Sequence, residues 1–418
     1  MRLRTICLSV IVFAGTALGG RGEVFRTDIN PALQYYQAFL LAPDLAKGDS
    51  DYLFTNNWQG EKLSDRFGKL MAGYDNQLKL VRQAAGSKVD CDWGIDMSAG
   101  PATMLPQLAR AKAVAQTTRL RVMWHLQNGR QDEARDELVA AFALARNISR
   151  DGTLIAMLVQ IAIEAIDCSS IAANFGQFSP EALKGLADGI DAAPTRRMAA
   201  DCLGTEKVMF LNWMRNKVLE LQKQNPGNDA RVMAELHQML GAEQDSDGET
   251  NVWQRLTQAA GGTSDGVLRL LQQREQEYDK LVKLVGLPYA EFQSQEKAFR
   301  SEIENSPNPL VALTLPAFLK ARERDFRILA TLALVRAGVE YKLHGEAGLK
   351  SVADPCGNGP FAFRRFVFEG VDRGFELKSA FNLGGNQAVL IFVEKEGAPF
   401  QVDGNYPGRP LTRTAPRE

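Results

Sequence analysis

Three polar residues interrupt the most apolar stretch of this chain. Gln160, Glu164 and Asp167 stand at i, i+4 and i+7 between Thr153 and Phe175, among Leu154, Ile155, Met157, Leu158, Val159, Ile161, Ile163, Ile166 and Ile171. That spacing places all three on one face of a helix. A carboxylate in apolar surroundings is costly unless a cation or hydrogen bonds offset it. The pattern therefore has two readings. Either the stripe lines a ligand pocket, where Glu164 serves as an acid or base of raised pKa, or it meets an arginine from a neighbouring helix or faces water.

Other chemistry-bearing groups are sparse. Asp90, Asp92 and Asp96 surround Trp93 and Gly94 in a short loop. Such oxygens could hold a calcium ion, but aspartate equally suits turns and helix caps. The run Glu243, Asp245, Asp247, Gly248 has the glycine of a calcium-binding helix–loop–helix, but Gln254 replaces the bidentate glutamate at its far end, so a solvated acidic loop is the better reading. The three histidines, His125, His237 and His344, have no second histidine or cysteine at metal-ligand spacing, and His125 and His344 fall near helix ends where a cation is favoured. No phosphate-binding glycine loop lies between a strand and a helix, and Gly357 and Gly359 read as a turn. The expectation is a protein with no cofactor and no metal.

The N-terminus carries the strongest targeting signal. Arg2 and Arg4 precede an uncharged apolar run from Ile6 to Ala14, which ends in Ala17-Leu18-Gly19. This pattern predicts a signal peptide over 1–19, cut before Gly20, and an exported, periplasmic or extracellular protein. No later segment reads as a membrane span. Of five cysteines, Cys91, Cys168, Cys202 and Cys356 remain after cleavage. In an oxidising compartment they permit disulfides, with Cys168–Cys202 the preferred pair because both fall on helices close in the chain. Buried free thiols are the alternative. The charge of -1 on 418 residues excludes long-range attraction to nucleic acid.

The elements that must position these groups are mostly helical. Periodic apolar residues predict helices from Asn30-Pro31 onward and over 62–85, 105–127, 134–148, 153–175, 180–192, 196–223, 267–285, 289–304 and 316–344. The segment 47–60 reads as polar, and 228–262 as polar and broken with short helices around it. The pair of helices joined at Gly129-Arg130 resembles one tetratricopeptide-type hairpin, without a repeat. After Gly345 the period changes to that of three short antiparallel strands, around Phe361–Phe368, Gly374–Leu377 and Val389–Val393. The domain reading is thus a signal peptide over 1–19, a helical domain over 20–345, a small β-rich segment over 346–396 and a disordered tail over 397–418. The fold class is mainly α, an antiparallel bundle or irregular α-solenoid with a small β-element.

The residues Asp354-Pro355, Gly357, Gly359-Pro360-Phe361, Phe363-Arg364-Arg365 and Gly374-Phe375-Glu376-Leu377 are similar to the C-terminal β-segment of type II secretion pseudopilins. They also resemble the end of a group of uncharacterised exported bacterial helical proteins, as do Asp92-Trp93-Gly94, Gly100-Pro101, Leu105-Pro106 and Arg150-Asp151-Gly152. Pseudopilins begin with a long apolar helix behind a different cleavage site, so pilus assembly is not implied. The second resemblance implies export and a helical fold, and no activity. The leading expectation is a non-enzymatic component that binds another envelope or extracellular protein, or a peptide. The alternatives are an enzyme with a carboxylate-centred pocket at Glu164, or a purely structural envelope component.

Overall fold

The computed structural model describes residues 28–241, 249–368, 370–383 and 385–395. The predicted signal peptide, the acidic run around Asp245 and Asp247, and the tail over 397–418 lie outside the described residues.

The first helices are α1 (Pro31–Leu40), α2 (Lys47–Phe54), α3 (Asp65–Ala72), α4 (Asp75–Ala85), α5 (Pro106–Gln127) and α6 (Gln131–Ile148). Their starts follow cap chemistry. Asn30 accepts the Ala32 N–H with Pro31 in the first turn, and Ser64 accepts the Phe67 N–H. Tyr35, Phe39, Leu53, Phe67, Met71, Leu78, Trp93, Leu120 and Leu144 close one apolar core. Trp93 belongs to that core: its indole donates to the Asn147 carbonyl at 2.7 Å and its ring stacks on Phe39.

The remaining helices are α7 (Leu154–Ala173), α8 (Pro180–Ala192), α9 (Ala199–Glu206), α10 (Trp213–Gln224), α11 (Asp229–Gly241), α12 (Glu249–Ala259), α13 (Ser264–Val285), α14 (Tyr289–Glu304) and α15 (Pro309–Ser351). They enclose a second, larger core together with the strands β1 (Ala362–Phe368), β2 (Val371–Leu383) and β3 (Asn386–Val393). Helix α7 runs through the middle, packed on α5, α6, α9, α15 and β3. Thr153 caps it, and the Glu206 carboxylate accepts the Leu154 N–H at 2.7 Å, where the helix dipole favours negative charge.

The strands form one antiparallel sheet in the order β1-β2-β3, with tight turns at Gly370 and Gly385. The sheet lies on α15 and α7, within the larger core. Phe375 is the centre of this contact, with its ring 4.8 Å from both Phe392 and Tyr341 and 5.7 Å from Phe175. Asp354 fixes the chain entering the sheet, accepting from Cys356 N at 2.9 Å, Ser379 Oγ at 2.8 Å and Ala380 N at 2.6 Å. The Asp-Pro pair quoted for the resemblance is thus a structural pin.

Mainly α with a small C-terminal antiparallel sheet is what the sequence led us to expect. Four boundaries differ. The helix expected over 62–85 is two, parted at Gly73-Tyr74, where the N–H groups of both bond three residues back. The segment 47–60 contains α2, whereas the short helices expected around the break in 228–262 are α11 and α12. The helix expected over 196–223 begins only at Ala199 and widens to π geometry over Lys207–Asn212. The last helix starts at Pro309 and continues past Gly345, where two helices meet at φ 63°. A fifth correction concerns α7. By length and composition it is apolar enough to cross a membrane, contrary to expectation. In this fold it is half buried, and its polar stripe is packed against other elements.

Candidate functional site

The stripe on α7 is placed inside the molecule. Gln160, Glu164 and Asp167 are each 0% exposed. Glu164 Oε2 accepts from Arg196 Nε at 2.9 Å, and Arg146 Nε lies 3.5 Å from Oε1. Arg196 continues to Asp325 Oδ1 at 2.5 Å, and Arg322 reaches Asp325 Oδ2 at 2.7 Å. The result is a buried chain of alternating charge, Arg146–Glu164–Arg196–Asp325–Arg322, which ties α6, α7, the segment before α9 and α15 together. Burial by itself lowers the pKa of Arg196, but the Glu164 and Asp325 charges outweigh it and hold the guanidinium above its ordinary range. Gln160 completes the lattice, accepting from Ser149 Oγ at 2.5 Å and donating to the Arg197 carbonyl at 3.1 Å. None of the three stripe residues lines the cavities walled by Trp58 and Gln127, by Arg146 and Ile190, or by Ile161 and Arg327. Glu164 is buried between two arginines, so where the sequence allowed a carboxylate-centred pocket the structure has an ion cross-link.

Asp167 stands apart from this lattice. Neither of its carboxyl oxygens has a hydrogen-bond partner among the described residues. Burial first, and the Glu164 charge second, push its pKa well above the usual carboxylate range, which favours the protonated acid. The expected Cys168–Cys202 bridge is also corrected. Although α7 and α9 pack together, Cys91, Cys168, Cys202 and Cys356 are all free, buried thiols. Cys202 Sγ instead points back along its own helix, 3.6 Å from the Met198 carbonyl. Burial drives the pKa of all four upward, to about 12 for Cys91, Cys202 and Cys356, so none is an activated nucleophile.

The calcium reading of Asp90, Asp92 and Asp96 is corrected in the same way. Asp92 accepts the Gly94 N–H and Asp96 the Ser98 N–H in local turns, and no metal-holding group of three ligands exists among the described residues. His344 is exposed beside Glu340, and His237 stacks on Trp253 at 4.8 Å. His125 is buried next to Glu137, which also takes Arg82 at 2.8 Å and Arg121 at 3.0 Å. Sequence reasoning missed this second ion cluster because its members come from three helices. It also passed over Gly262-Thr263-Ser264-Asp265-Gly266, which spells a nucleophile elbow. The context decides against that chemistry. The segment joins two helices, α12 and α13, with no strand before it, and the Ser264 hydroxyl is bonded to Asp229 at 2.5 Å and to Gln222 at 2.8 Å, with no histidine.

A cleft of about 630 Å³ opens where the two cores meet. Four segments wall it: Trp58–Leu63, the end of α5 with Met123, Leu126 and Gln127, the end of α7 with Ala173 to Gln177, and the end of β3 with Val393 to Lys395. Amide side chains cross-tie these walls. Gln127 clamps Leu63, accepting its N–H at 2.6 Å and donating to its carbonyl at 3.0 Å. Gln59 donates to the Ala173 carbonyl at 3.0 Å, while Asn174 bonds within its own wall, to the Ser170 carbonyl at 2.8 Å. At Gly176 a Cβ would come within 2.2 Å of the Glu394 carbonyl, so only glycine lets the walls meet there. Four charges, Glu61, Lys62, Glu394 and Lys395, stand among the lining residues, which include no Ser, Thr, Cys, Tyr or His. Such a wall can bind peptide-like groups. The segments come from four distant parts of the chain, and no periodicity could have brought them together. Compared with family models, with curated proteins and with solved structures, the chain has no match in any of the three.

Proposed function

We propose that this chain is an exported binding protein that takes an extended segment of another envelope or extracellular protein into the cleft between its two cores. The observation that carries the reading is the composition of the cleft wall. Gln59, Gln127 and Asn174 each spend one amide hydrogen on the protein's own backbone, and the amide hydrogens and oxygen lone pairs left to them and to Gln177 are those a peptide backbone would meet. Trp58, Met123 and Leu126 offer apolar contact, and Glu61, Lys62 and Lys395 offer charge, whereas Glu394 is already paired with Arg365 at 2.9 Å. The walls are already tied to one another, so little ordering is needed on binding, which favours affinity. Clefts between packed units are common ligand sites, and this one falls within the usual size range.

Export rests on the N-terminal pattern of Arg2, Arg4 and the apolar run before Gly19, and N-terminal sequencing of the protein recovered outside the cytoplasm should begin at Gly20. Binding is tested by selecting displayed random peptides on the immobilised chain, then measuring their affinities by fluorescence anisotropy. Ala173→Trp, which fills the cleft, and Lys395→Glu, which reverses one rim charge, should each weaken a selected peptide about tenfold or more. Peptides whose affinities both substitutions leave unchanged would place binding elsewhere and defeat the proposal.

A further inference from the structure

A second cavity, of about 230 Å³, opens between α8 and α15 on another face of the molecule. Leu186, Ala187 and Ile190 from α8, and Leu332, Val335 and Val339 from α15, make its body apolar. Its one buried charge is Arg146 of α6, which is 9% exposed. That guanidinium is held by its other atoms: Nε lies 3.5 Å from Glu164, and Nη1 donates to the Ile190 carbonyl at 2.8 Å and lies 3.3 Å from that of Pro194. Its Nη2 makes no hydrogen bond to the described residues. The rim is spanned by the exposed ion pair Arg336–Asp191 at 2.8 Å.

The charge count points to the ligand. The buried chain holds three arginines, Arg146, Arg196 and Arg322, against two carboxylates, Glu164 and Asp325. Asp167 adds no negative charge while it stays protonated. One positive charge is left over in a low-dielectric interior, where an uncompensated charge is costly. Arg196 Nη2 and Arg322 Nε have no partners, so donors as well as charge are in surplus. Arg146 is the member of the chain that reaches a cavity.

We infer that this cavity binds a small aliphatic monocarboxylate, its chain among Leu186, Ile190, Leu332 and Val339 and its carboxylate on Nη2 of Arg146. The volume equals about seven or eight waters, enough for a short chain with its headgroup and too small for a folded peptide segment. A charged hydrogen bond to a desolvated guanidinium is among the stronger kinds, and it would supply the missing negative charge. This inference does not depend on the peptide cleft, which lies on other elements.

The test is isothermal titration of the full-length chain with hexanoate and with hexan-1-ol, a neutral probe of the same length. Hexanoate should bind saturably, with a Kd on the order of millimolar for so small a ligand, and about tenfold tighter than the alcohol. Ala333→Phe fills the cavity without touching the ion chain and should abolish hexanoate binding. Arg146→Met should erase the preference for acid over alcohol, and because it could unfold the chain, its circular dichroism is recorded alongside. Absence of saturable hexanoate binding in the wild type would overturn the inference. So would equal affinities for acid and alcohol, or unchanged binding in Ala333→Phe.

Discussion

At the residue scale, the polar face of α7 is a cross-link with one member out of place. Glu164 neutralises two largely buried arginines, so removing it should leave Arg146 without a carboxylate and Arg196 with Asp325 alone. Glu164→Leu is expected to cost about 3–5 kcal/mol of stability in urea unfolding, as for other broken buried pairs. An equally stable variant would show that Arg146 and Arg196 find other partners. Asp167 yields a prediction of distinct sign. Its folded pKa lies above its unfolded one, because burial disfavours the charged form. Below the unfolded pKa of about 3.9 both states hold the proton and the group has no effect. As pH rises past that point the unfolded chain releases its proton while the folded one keeps it, so stability falls until the folded pKa is reached. Asp167→Asn removes this dependence. Urea midpoints for the two proteins should be similar at pH 4, with the variant the more stable at pH 7 by roughly 1–3 kcal/mol. Parallel pH profiles would mean that Asp167 is ionised in the fold and has a partner there.

At the scale of elements, the sheet is seated closely on α15. Gly338 in α15 faces the ring of Phe392, and a Cβ there would approach it to 2.4 Å. Gly338→Val should therefore lower stability by about 1–3 kcal/mol through overpacking, with far-ultraviolet circular dichroism showing the helices retained. A gain in stability, as helix propensity by itself predicts, would mean that Phe392 can move aside. The elements themselves were largely legible in the sequence, since α5, α6, α7, α8, α13 and α14 have strong apolar periods and clear caps such as Thr153 and Ser179. Weakly apolar α2 was not, nor was the break at Gly73-Tyr74, which local spacing does not show. The stripe at Gln160, Glu164 and Asp167 was legible as a buried polar face. Its partners were not, because Arg196 and Asp325 are 129 residues apart and meet only through the packing of α15 on α9.

At the scale of the whole molecule, two apolar cores share α7 and leave a cleft at their junction, and the proposed function sits there. The same arrangement explains why Glu164 serves as a cross-link: the helix that carries it is shared by both cores, and its polar face is wholly buried. The central claim is that ligands meet this protein at the junction. Amide hydrogen exchange with and without a selected peptide tests it most directly. The account predicts slowed exchange confined to residues 58–63, 123–127, 173–177 and 393–395. Protection centred on 146–167 instead, or no protection at saturating peptide, would contradict it.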